Sequence, residues 1–584
     1  ADGLFPAKFL RGLDLEGTVR FDELRLFGLL AGDVDAKITA EGGDLTLAGG
    51  IRVAGAGDIT LRTPAGSVLV DAEAAGWRMD GAAFDENIDW AMRRGKFVVD
   101  QASGEIRTTK VESYEVANHI ANNQVLRAGD GAYVQTTAGD LSISARDAIG
   151  QAVSGFLFSP LALVVDAATV TASSTERDTV KIMATGDTTV VQAERATGSR
   201  GGATDITTLS GNQTISAPVD AGGEDINIIA DQAELNEDLR SAGATLTIRP
   251  IDTSRPIVLG DVTGATDGVL HLGLAELEKI QPGFREVVVG DDDGNYVIHI
   301  GDKAIEQTVI TRNDLVIRNP QAGGHIYINQ DLLALEGSSI EIYGSGSTED
   351  WAANVAAEDN LTINDSIIVD GDISAISGAR SVTVGDATGF AVGDTVYLGD
   401  DLASATASAT VHLVSGNRLF LRDIAGNFVQ DQTLKEDGAA TTSTISEVSL
   451  SNTGSISLGV VTSSHSLDAK NDGVDTLNLQ ANGGDVDINS LIGEDSQLGG
   501  LRVQNAEDVT FNKEVNIDGD LIINATGDVT MSNTPGGSQF SPSQLEVSDS
   551  SAAMELTIPP VVRAGVRYVH LSGGKEIFDV ELNA

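Results

Sequence analysis

The chain has 584 residues, no cysteine, and 86 Asp and Glu against 37 Lys and Arg, which gives a formal net charge of −49. A single hydrophobic core rarely organises a chain of this length, so the alternatives are several domains or one elongated repeat architecture. The charge disfavours binding to nucleic acid or to an anionic membrane, and the lack of cysteine excludes disulfides and thiolate metal sites. No apolar run is long enough to span a bilayer.

Residues 1–72 introduce a phrase that recurs along the chain: a glycine, an acidic residue, then alternating aliphatic and polar residues. Gly43–Leu47 and Gly57–Leu61 are early copies. Glycine permits a positive φ at a tight corner, Asp hydrogen-bonds its own backbone there, and the alternation indicates a short strand. Such strands are stable only when stacked on copies of themselves, which predicts coils of a parallel β-helix. The interior is predicted to hold Leu45, Leu47, Ile59 and Leu61.

Residues 73–128 break this rhythm, and the run Asp85–Arg94 has a helical pattern. We predict an irregular excursion with a short helix. The phrase returns in residues 129–375, as at Gly139–Ile143, and predicts a β-helical shaft. Within that shaft, residues 268–284 predict a strand and then a short amphipathic helix that ends before Pro282.

Residues 376–447 contain longer strands separated by hairpin-length loops, which predicts a small β-barrel or sandwich inserted between coils. We expect the rest of the chain to fold without this module. In residues 448–584 the short phrase resumes as a second shaft, and Asp485, Asp508 and Asp528 follow one another at intervals of 23 and 20 residues. That period suits one coil of a three-sided β-helix. Inward positions are predicted for Val509, Phe511, Val529 and Met531.

The predicted fold is therefore all-β: a long right-handed parallel β-helix, or solenoid, with the small inserted β-module and short helical excursions. The rival fold is a row of antiparallel sandwiches, which needs longer strands and hairpin turns. The hairpin signal Asn-Gly occurs only once, at Asn482–Gly483, although Asp-Gly is commoner, as at Asp267–Gly268 and Asp370–Gly371, so hairpins stay an alternative. Neither Ala36–Ala40 nor Ile577–Leu582 has the pattern of a cap, because both segments alternate like interior strands. We expect the shaft to continue in a longer polypeptide or by axial contact with another copy.

The densest cluster of carboxylates is Asp291, Asp292 and Asp293, followed by Gly294 and Asn295. Ca²⁺ takes several oxygen ligands, and a glycine-containing loop of Asp and Asn can supply them. Asp291, Asp292, Asp293 and Asn295 are accordingly the candidate Ca²⁺ ligands, and Ca²⁺ is the candidate cofactor. The competing interpretation is a solvated turn between two strands, because no Glu follows at the twelfth position of an EF-hand loop. Weaker acidic candidates are Asp400, Asp401, Asp468, Asp472 and Asp475.

No motif of a known catalytic mechanism occurs. The seven histidines are scattered singly, and the chain contains no HExxH, GxSxG or P-loop sequence. Polysaccharide-cleaving β-helices need carboxylates gathered in a groove, and acidic pairs are too frequent here to indicate one. We therefore expect no catalytic residues and no enzymatic activity.

One block has a more specific pattern: Ala244–Pro250, Arg255–Gly260, Leu272–Ile280, Val287–Gly290 and Val297–Gly301. This succession resembles a recurring unit of the filamentous-haemagglutinin-like family of giant bacterial exoproteins and adhesins. The resemblance implies a right-handed β-helical shaft, export to the cell exterior, and a role in adhesion, aggregation or surface-layer building. It covers residues 244–301 only, and the amino-terminal secretion domain of such proteins is not recognisable.

The predicted function is that of a structural or adhesive segment of a large bacterial cell-surface or secreted fibrous protein, acting as a stiff extracellular rod or filament. The expected partners are further copies or a continuation of the same polypeptide, and a host or neighbouring-cell surface, without nucleic acid or a membrane span. Two alternatives stay open. One is a Ca²⁺-rigidified extracellular matrix or surface-layer protein, and the other is a phage tail-fibre or polysaccharide-degrading β-helix.

Overall fold

The structure, a computed structural model, describes residues 212–531 with gaps at 217, 222, 224, 251, 265–267, 345–348 and 450–452, together with individual strands on either side. At 212, 349, 412–413, 415 and 422–423 it describes the backbone alone. The protein is almost entirely β, with 53% strand and 2% helix. It forms two compact units, residues 1–255 with 266–288, and residues 256–265 with 289–584.

The strands before residue 256 are short. In chain order they are β1 (Ala36–Thr39), β2 (Leu45–Leu47), β3 (Ile51–Val53), β4 (Ile59–Thr63), β5 (Val68–Asp71), β6 (Arg78–Met79), β7 (Val98–Val99), β8 (Ile106–Arg107), β9 (Leu126–Arg127), β10 (Val134–Thr136), β11 (Asp140–Ala145), β12 (Ile149–Val153), β13 (Phe156–Leu161), β14 (Leu163–Asp166), β15 (Thr169–Ser174), β16 (Val180–Ala184), β17 (Thr188–Arg195), β18 (Thr204–Thr208), β19 (Asn212–Ile215), β20 (Val219–Asp220), β21 (Ile226–Ile229), β22 (Gln232–Leu235), β23 (Leu239–Arg240) and β24 (Thr245–Arg249).

The next elements include one short α-helix. They are β25 (Ile257–Leu259), β26 (Leu270–Leu272), α1 (Leu274–Leu277), β27 (Glu286–Gly290), β28 (Val297–Ile300), β29 (Thr308–Thr311), β30 (Asp314–Arg318), β31 (His325–Ile328), β32 (Asp331–Ala334), β33 (Ile340–Tyr343), β34 (Glu349–Trp351), β35 (Val355–Ala357), β36 (Leu361–Asn364), β37 (Ile367–Val369) and β38 (Asp372–Ile376).

Longer strands follow, and then short ones again. The longer group is β39 (Arg380–Val384), β40 (Thr395–Leu398), β41 (Ala407–Ser415), β42 (Arg418–Gly426), β43 (Thr433–Glu436) and β44 (Thr442–Ser449), with a 3-10 helix at Leu402–Ser404. The last group is β45 (Ile456–Leu458), β46 (Ser466–Ala469), β47 (Thr476–Gln480), β48 (Val486–Ile488), β49 (Leu491–Ile492), β50 (Leu498–Ala506), β51 (Val509–Phe511), β52 (Ile517–Ala525), β53 (Val529–Met531), β54 (Gln544–Asp549), β55 (Leu556–Thr557), β56 (Val566–Ser572) and β57 (Lys575–Leu582).

The first unit is built on parallel strand pairs. One sheet runs β1, β4, β11, β15, β17, and β17 then pairs with both β19 and β20. A second sheet runs β2, β5, β12, β16, β18, β21, β24. Between residues 73 and 128 the pairs β6–β9 and β7–β8 are antiparallel, which departs from this pattern. The predicted helical run Asp85–Arg94 lies outside the described residues.

The strand and helix predicted within residues 268–284 are β26 and α1. Glu276 begins the hydrogen bonding of this helix, because its carboxylate accepts the backbone N–H of Gly273 at 2.7 Å. The other oxygen of Glu276 accepts the N–H of Leu235 at 3.1 Å, at the end of β22. One side chain thus satisfies both a helix start and the end of a neighbouring strand.

The second unit contains three parallel sheets, which the chain visits in turn. Sheet I is formed by β30, β33, β36, β45, β48, β51, β53 and β55 in that order. Sheet II is formed by β25, β28, β31, β34, β37, β46 and β49. Sheet III is formed by β29, β32, β35, β38, β47, β50, β52, β54 and β56. We call one passage through the three sheets a repeat.

Apolar side chains at alternate positions of successive strands are buried. In sheet I the buried pairs include Val509 with Phe511 and Val529 with Met531, which the sequence predicted to point inward. Ile59 and Leu61 of the first unit are likewise buried on a parallel strand. These positions confirm the predicted parallel pairing and exclude antiparallel sandwiches for these strands. The side chains of Leu45 and Leu47 lie outside the described residues.

A chain of side-chain hydrogen bonds runs along the corner that precedes sheet I. At each step a side-chain oxygen in one repeat accepts the backbone N–H of the matching residue in the next, over distances of 2.6 to 3.3 Å. We call these residues the corner ladder: Asp314, Ser339, Asn360, Ser455, Asp485, Asp508 and Asp528. The Asp of the recurring phrase therefore hydrogen-bonds the next repeat, and the expectation that it serves its own backbone is wrong at Asp485 and Asp508.

The glycines of the phrase also act between repeats. A Cβ at Gly484 would lie 2.3 Å from the carbonyl oxygen of Gly454, and one at Gly527 would lie 2.1 Å from Asp508 Oδ1. Neither Gly484 nor Gly527 is among the residues with positive φ. Glycine is required at Gly484 by the backbone of the preceding repeat, and at Gly527 it leaves room for the Asp508 carboxylate that accepts the N–H of Asp528, which corrects the expectation of a left-handed backbone.

The predicted β-module is a closed antiparallel barrel of β39, β42, β41, β40, β43 and β44. It has its own core, in which Val382, Val396, Leu419, Leu434 and Ile445 are almost fully buried. The parallel sheets continue past it, because β36 pairs with β45, β37 with β46 and β38 with β47. The barrel is thus inserted at a corner of one repeat without interrupting the sheets.

The last strand departs from the expectation. Ile577–Leu582 alternates as a further parallel strand would, yet β57 pairs antiparallel with β56 and completes a hairpin. Alternation predicts a strand with two different faces, and it carries no information on the direction of the neighbouring strand.

Candidate functional site

The predicted Ca²⁺ ligands lie in the turn that leads into β28. Asp291 Oδ1 accepts the backbone N–H of Asp293 at 3.1 Å and the hydroxyl of Tyr296 at 3.2 Å. The Tyr296 ring is fully buried, and a Cβ at Gly294 would lie 2.1 Å from it. The glycine of this acidic loop is therefore explained by the packing of Tyr296.

The side chains of Asp291 and Asp292 hydrogen-bond to different partners in the turn. Asp292 Oδ1 accepts a hydrogen bond from Arg318 Nη1 at 2.8 Å, and the backbone carbonyl of Asp292 accepts one from Gln321 Nε2 at 2.7 Å. Asp293 is exposed and Asn295 is half-buried. Across the part of the chain that the structure describes, no group of three or more His, Asp or Glu side chains has the arrangement of a metal site. Ca²⁺ binding by these four residues stays a prediction.

Four of the five weaker acidic candidates hold backbone groups, among them Asp472, which accepts the N–H of Gln497 at 2.7 Å, whereas Asp400 is exposed. Asp468 Oδ1 accepts the N–H groups of Asp495 and Ser496 at 3.0 and 3.3 Å, and it is almost fully buried. Asp475 accepts the N–H of Asn471 at 2.6 Å, which closes a tight turn. Asp401 caps the 3-10 helix by accepting the N–H of Ser404 at 2.8 Å. Hydrogen bonds to Ser404 lower the pKa of Asp401, so this carboxylate is charged when it caps.

Two histidines that are distant in sequence meet on the outer side of sheet II. His299 and Tyr327 lie opposite each other in β28 and β31, and their rings stack with centroids 4.8 Å apart and planes 12° apart. His325 lies 6.1 Å from the same Tyr327 ring. In the sequence these histidines are scattered singly. The signal that could have indicated their proximity is the shared pattern of Val297–Ile300 and His325–Ile328, in which His299 and Tyr327 take the third position of two strands one repeat apart.

The group formed by His299, Tyr327 and His325 has a packing role. Burial lowers the pKa of His299, which keeps the imidazole neutral near neutral pH. Asn329 Nδ2 lies 3.3 Å from His299 Nδ1, so the ring accepts a hydrogen bond when it is in the neutral tautomer that leaves this nitrogen unprotonated. Since the rings of His299 and Tyr327 cover each other's faces, the group offers no open aromatic platform between them.

A charged bridge joins repeats next to this face. Asp370 Oδ2 lies 2.5 Å from Lys470 Nζ and 3.5 Å from Lys303 Nζ. The hydrogen bond from Lys470 is the main cause of the lowered pKa of Asp370, and the same bond raises the pKa of Lys470. Both groups are therefore held in their charged forms, as an ion pair and not as a nucleophile with its base.

No family model, curated protein or solved structure matches this chain. Among the residues that the structure describes, none of the helices has the length and apolar character of a membrane span.

Proposed function

We propose that this chain is a structural, non-enzymatic segment of a large bacterial cell-surface or secreted fibrous protein. In this proposal the sheets of the second unit are the three faces of a right-handed parallel β-helix, and the segment serves as a stiff extracellular rod that carries or forms an adhesive surface. The corner ladder is the observation that carries the proposal. Each of its links joins one repeat to the next, so its physical effect is to hold successive repeats in register.

Regular stacking supports a role that depends on length and stiffness. Paired strands lie about 4.8 Å apart, so each added repeat lengthens a stack by that amount. Every repeat contacts mainly its neighbours, and such repeat proteins act through extended surfaces. The buried carboxylates Asp468 and Asp475 accept backbone N–H groups, and the buried Glu358 pairs with Arg418 of the barrel. None of these three is paired as a nucleophile with its base.

Composition supports an exterior location. The chain combines a net charge of −49 with no cysteine, which suits solubility in a salty medium where charge repulsion is screened. The resemblance of residues 244–301 to filamentous-haemagglutinin-like exoproteins points to the same location. Adhesion to a host or neighbouring cell, and axial contact with further copies, are parts of this proposal.

The proposal is tested by labelling cells of the producing organism with an antibody raised against the purified chain. We expect labelling of intact, unpermeabilised cells or of material they release, with thin filaments at the labelled sites in electron micrographs. An antibody against a cytoplasmic protein, which must label only permeabilised cells, is the control.

Three outcomes would reject the proposal. They are labelling that requires permeabilisation, labelling confined to virus particles, and release of reducing sugars from cell polysaccharide by the purified chain. A two-dimensional lattice that dissolves in EDTA would favour the alternative of a Ca²⁺-rigidified surface layer.

A further inference from the structure

Sheet III carries an apolar column on its outer side, under the barrel. Leu332 and Ala334 face the interior, so Leu333 between them faces outward, and yet it is fully buried. The register places Leu333 opposite Ala356 in the next repeat and Ala356 opposite Ile376 in the one after. These outward residues form one buried cluster with Phe420 of the barrel strand β42. The barrel therefore covers three successive strands of sheet III.

A buried carboxylate reinforces this contact. Glu358 follows β35, its side chain is 3% exposed, and it lies 3.1 Å from Arg418 Nη1 of the barrel. Glu358 also accepts the hydroxyl of Ser381, on the first barrel strand, at 3.4 Å, and the backbone N–H of Gly337, in the preceding repeat, at 3.0 Å. One side chain thus joins two repeats to two strands of the barrel.

The two connections to the barrel are tied to the repeat that follows it. Ser377 Oγ donates to the carbonyl of Gly454 at 2.7 Å, so the chain enters and leaves the barrel at neighbouring points. Asn482 lies just after β47, and its side-chain amide donates to the backbone carbonyl of Ser377 at 3.1 Å. The backbone carbonyl of Asn482 accepts a hydrogen bond from Arg380 Nη2 at 3.1 Å. The barrel and its connections therefore contact the repeats that contain β32, β35, β38 and β47.

We propose that the barrel is a lateral brace that couples these four repeats into one cooperative unit. In a stack of repeats, interactions are normally limited to nearest neighbours, so any single interface can open by itself. A rigid module attached to four repeats at once makes the opening of one interface depend on the others. This contact also argues against the expectation that the barrel can be removed without consequence, because removal would expose Leu333, Ala356 and Ile376.

The test is hydrogen exchange of the full chain, measured by mass spectrometry, in the wild type and three variants. Phe420→Ala removes the apolar contact, and Glu358→Gln removes the buried charge while keeping its shape. Glu447→Gln is the matched control, because Glu447 accepts the other nitrogen of Arg418 at 2.9 Å but its side chain is 55% exposed. In Phe420→Ala and Glu358→Gln we expect amides of β32, β35, β38 and β47 to exchange at least about tenfold faster, by a common factor. The control should match the wild type.

Two results would overturn the brace. One is faster exchange confined to the barrel strands β39–β44 while the four repeats keep their protection. The other is faster exchange in β35 alone, which would mean that each repeat still opens independently. If Phe420→Ala does not fold, Glu358→Gln alone decides between these outcomes, since it creates no cavity.

Discussion

The parallel sheets and the barrel of the second unit differ in where their strands find hydrogen-bonding partners. In the barrel every partner belongs to the barrel itself, from the β41–β42 hairpin closed at Gly416 and Asn417 to the pairing of β39 with β44. In the parallel sheets, Asp485 and its partner Asp508 are 23 residues apart, and Asn360 and Ser455 are 95 residues apart because the barrel lies between them. Damage to a repeat should therefore reach its neighbours, whereas damage to the barrel core should first appear within the barrel.

The largest expected effect comes from the core of a repeat. Trp351 of β34 is fully buried, and Trp351→Ala should lower the free energy of unfolding by about 3–5 kcal/mol, because it removes a large apolar side chain and leaves a cavity. Urea unfolding followed by circular dichroism measures the change. Val461→Ala, at a side chain that is 60% exposed, is the control and should stay within about 0.5 kcal/mol. Equal midpoints for both variants would contradict the assignment of Trp351 to the interior.

A matching change in the barrel sharpens the comparison. Leu434 is fully buried in the barrel core, and Leu434→Ala should cost about 2–5 kcal/mol of barrel stability. We expect the exchange rates of amides in β39–β44 to rise more than those of amides in sheets I, II and III. A larger acceleration in the parallel sheets than in β39–β44 would show that the barrel does not respond to damage as a local unit.

The corner ladder should show a smaller effect that depends on chemistry more than on size. Asp508→Ala leaves the backbone N–H of Asp528 without its acceptor and should cost about 1 kcal/mol, as the loss of a helix cap does. Asp508→Asn keeps an acceptor oxygen and removes one of several acidic charges along this corner, so its stability should equal or exceed that of the wild type. Urea midpoints of the two variants decide the matter. A loss as large in Asp508→Asn as in Asp508→Ala would indicate that charge, and not the hydrogen bond, is what the ladder requires.

The smallest effects should appear in the pH dependence, with opposite signs at two aspartates. Burial, followed by the charge of Asp485, raises the pKa of Asp487, so its stabilising contribution is present below the unfolded pKa and is lost as the pH rises through the folded pKa. Asp487→Asn should therefore raise the urea midpoint near neutral pH and leave it unchanged in acid. The hydrogen bond from Lys470 lowers the pKa of Asp370, whose contribution is present above the unfolded pKa and is lost as the pH falls through the folded pKa.

Asp370→Asn should accordingly lower the midpoint near neutral pH and have no effect in strong acid. Urea titrations of both variants at several pH values check the pair. Shifts of the same sign in Asp487→Asn and Asp370→Asn would be incompatible with these two environments.

The sequence by itself determined the local elements. An Asp followed by alternating apolar residues placed the starts of β48, β51 and β53 and the buried side chains Val509, Phe511, Val529 and Met531, because strand alternation is a local property. The longer strands and short loops after residue 376 likewise predicted a compact β-module. These features depend on residues that are within a few positions of one another.

Tertiary structure decided everything that requires two repeats at once. Gly484 is needed because the backbone of Gly454 approaches it, and Asp485 is needed because it accepts the N–H of Asp508. From the sequence, both residues are explained by the local backbone conformation of their own turn. Leu333 faces outward and would be an exposed apolar residue without Phe420, which lies in a different module. No local pattern shows these partners, since the distances between them along the chain depend on the lengths of the intervening loops. Stacking brings them together, and only then does the same short phrase acquire its hydrogen bonds, its close contacts and its covered face.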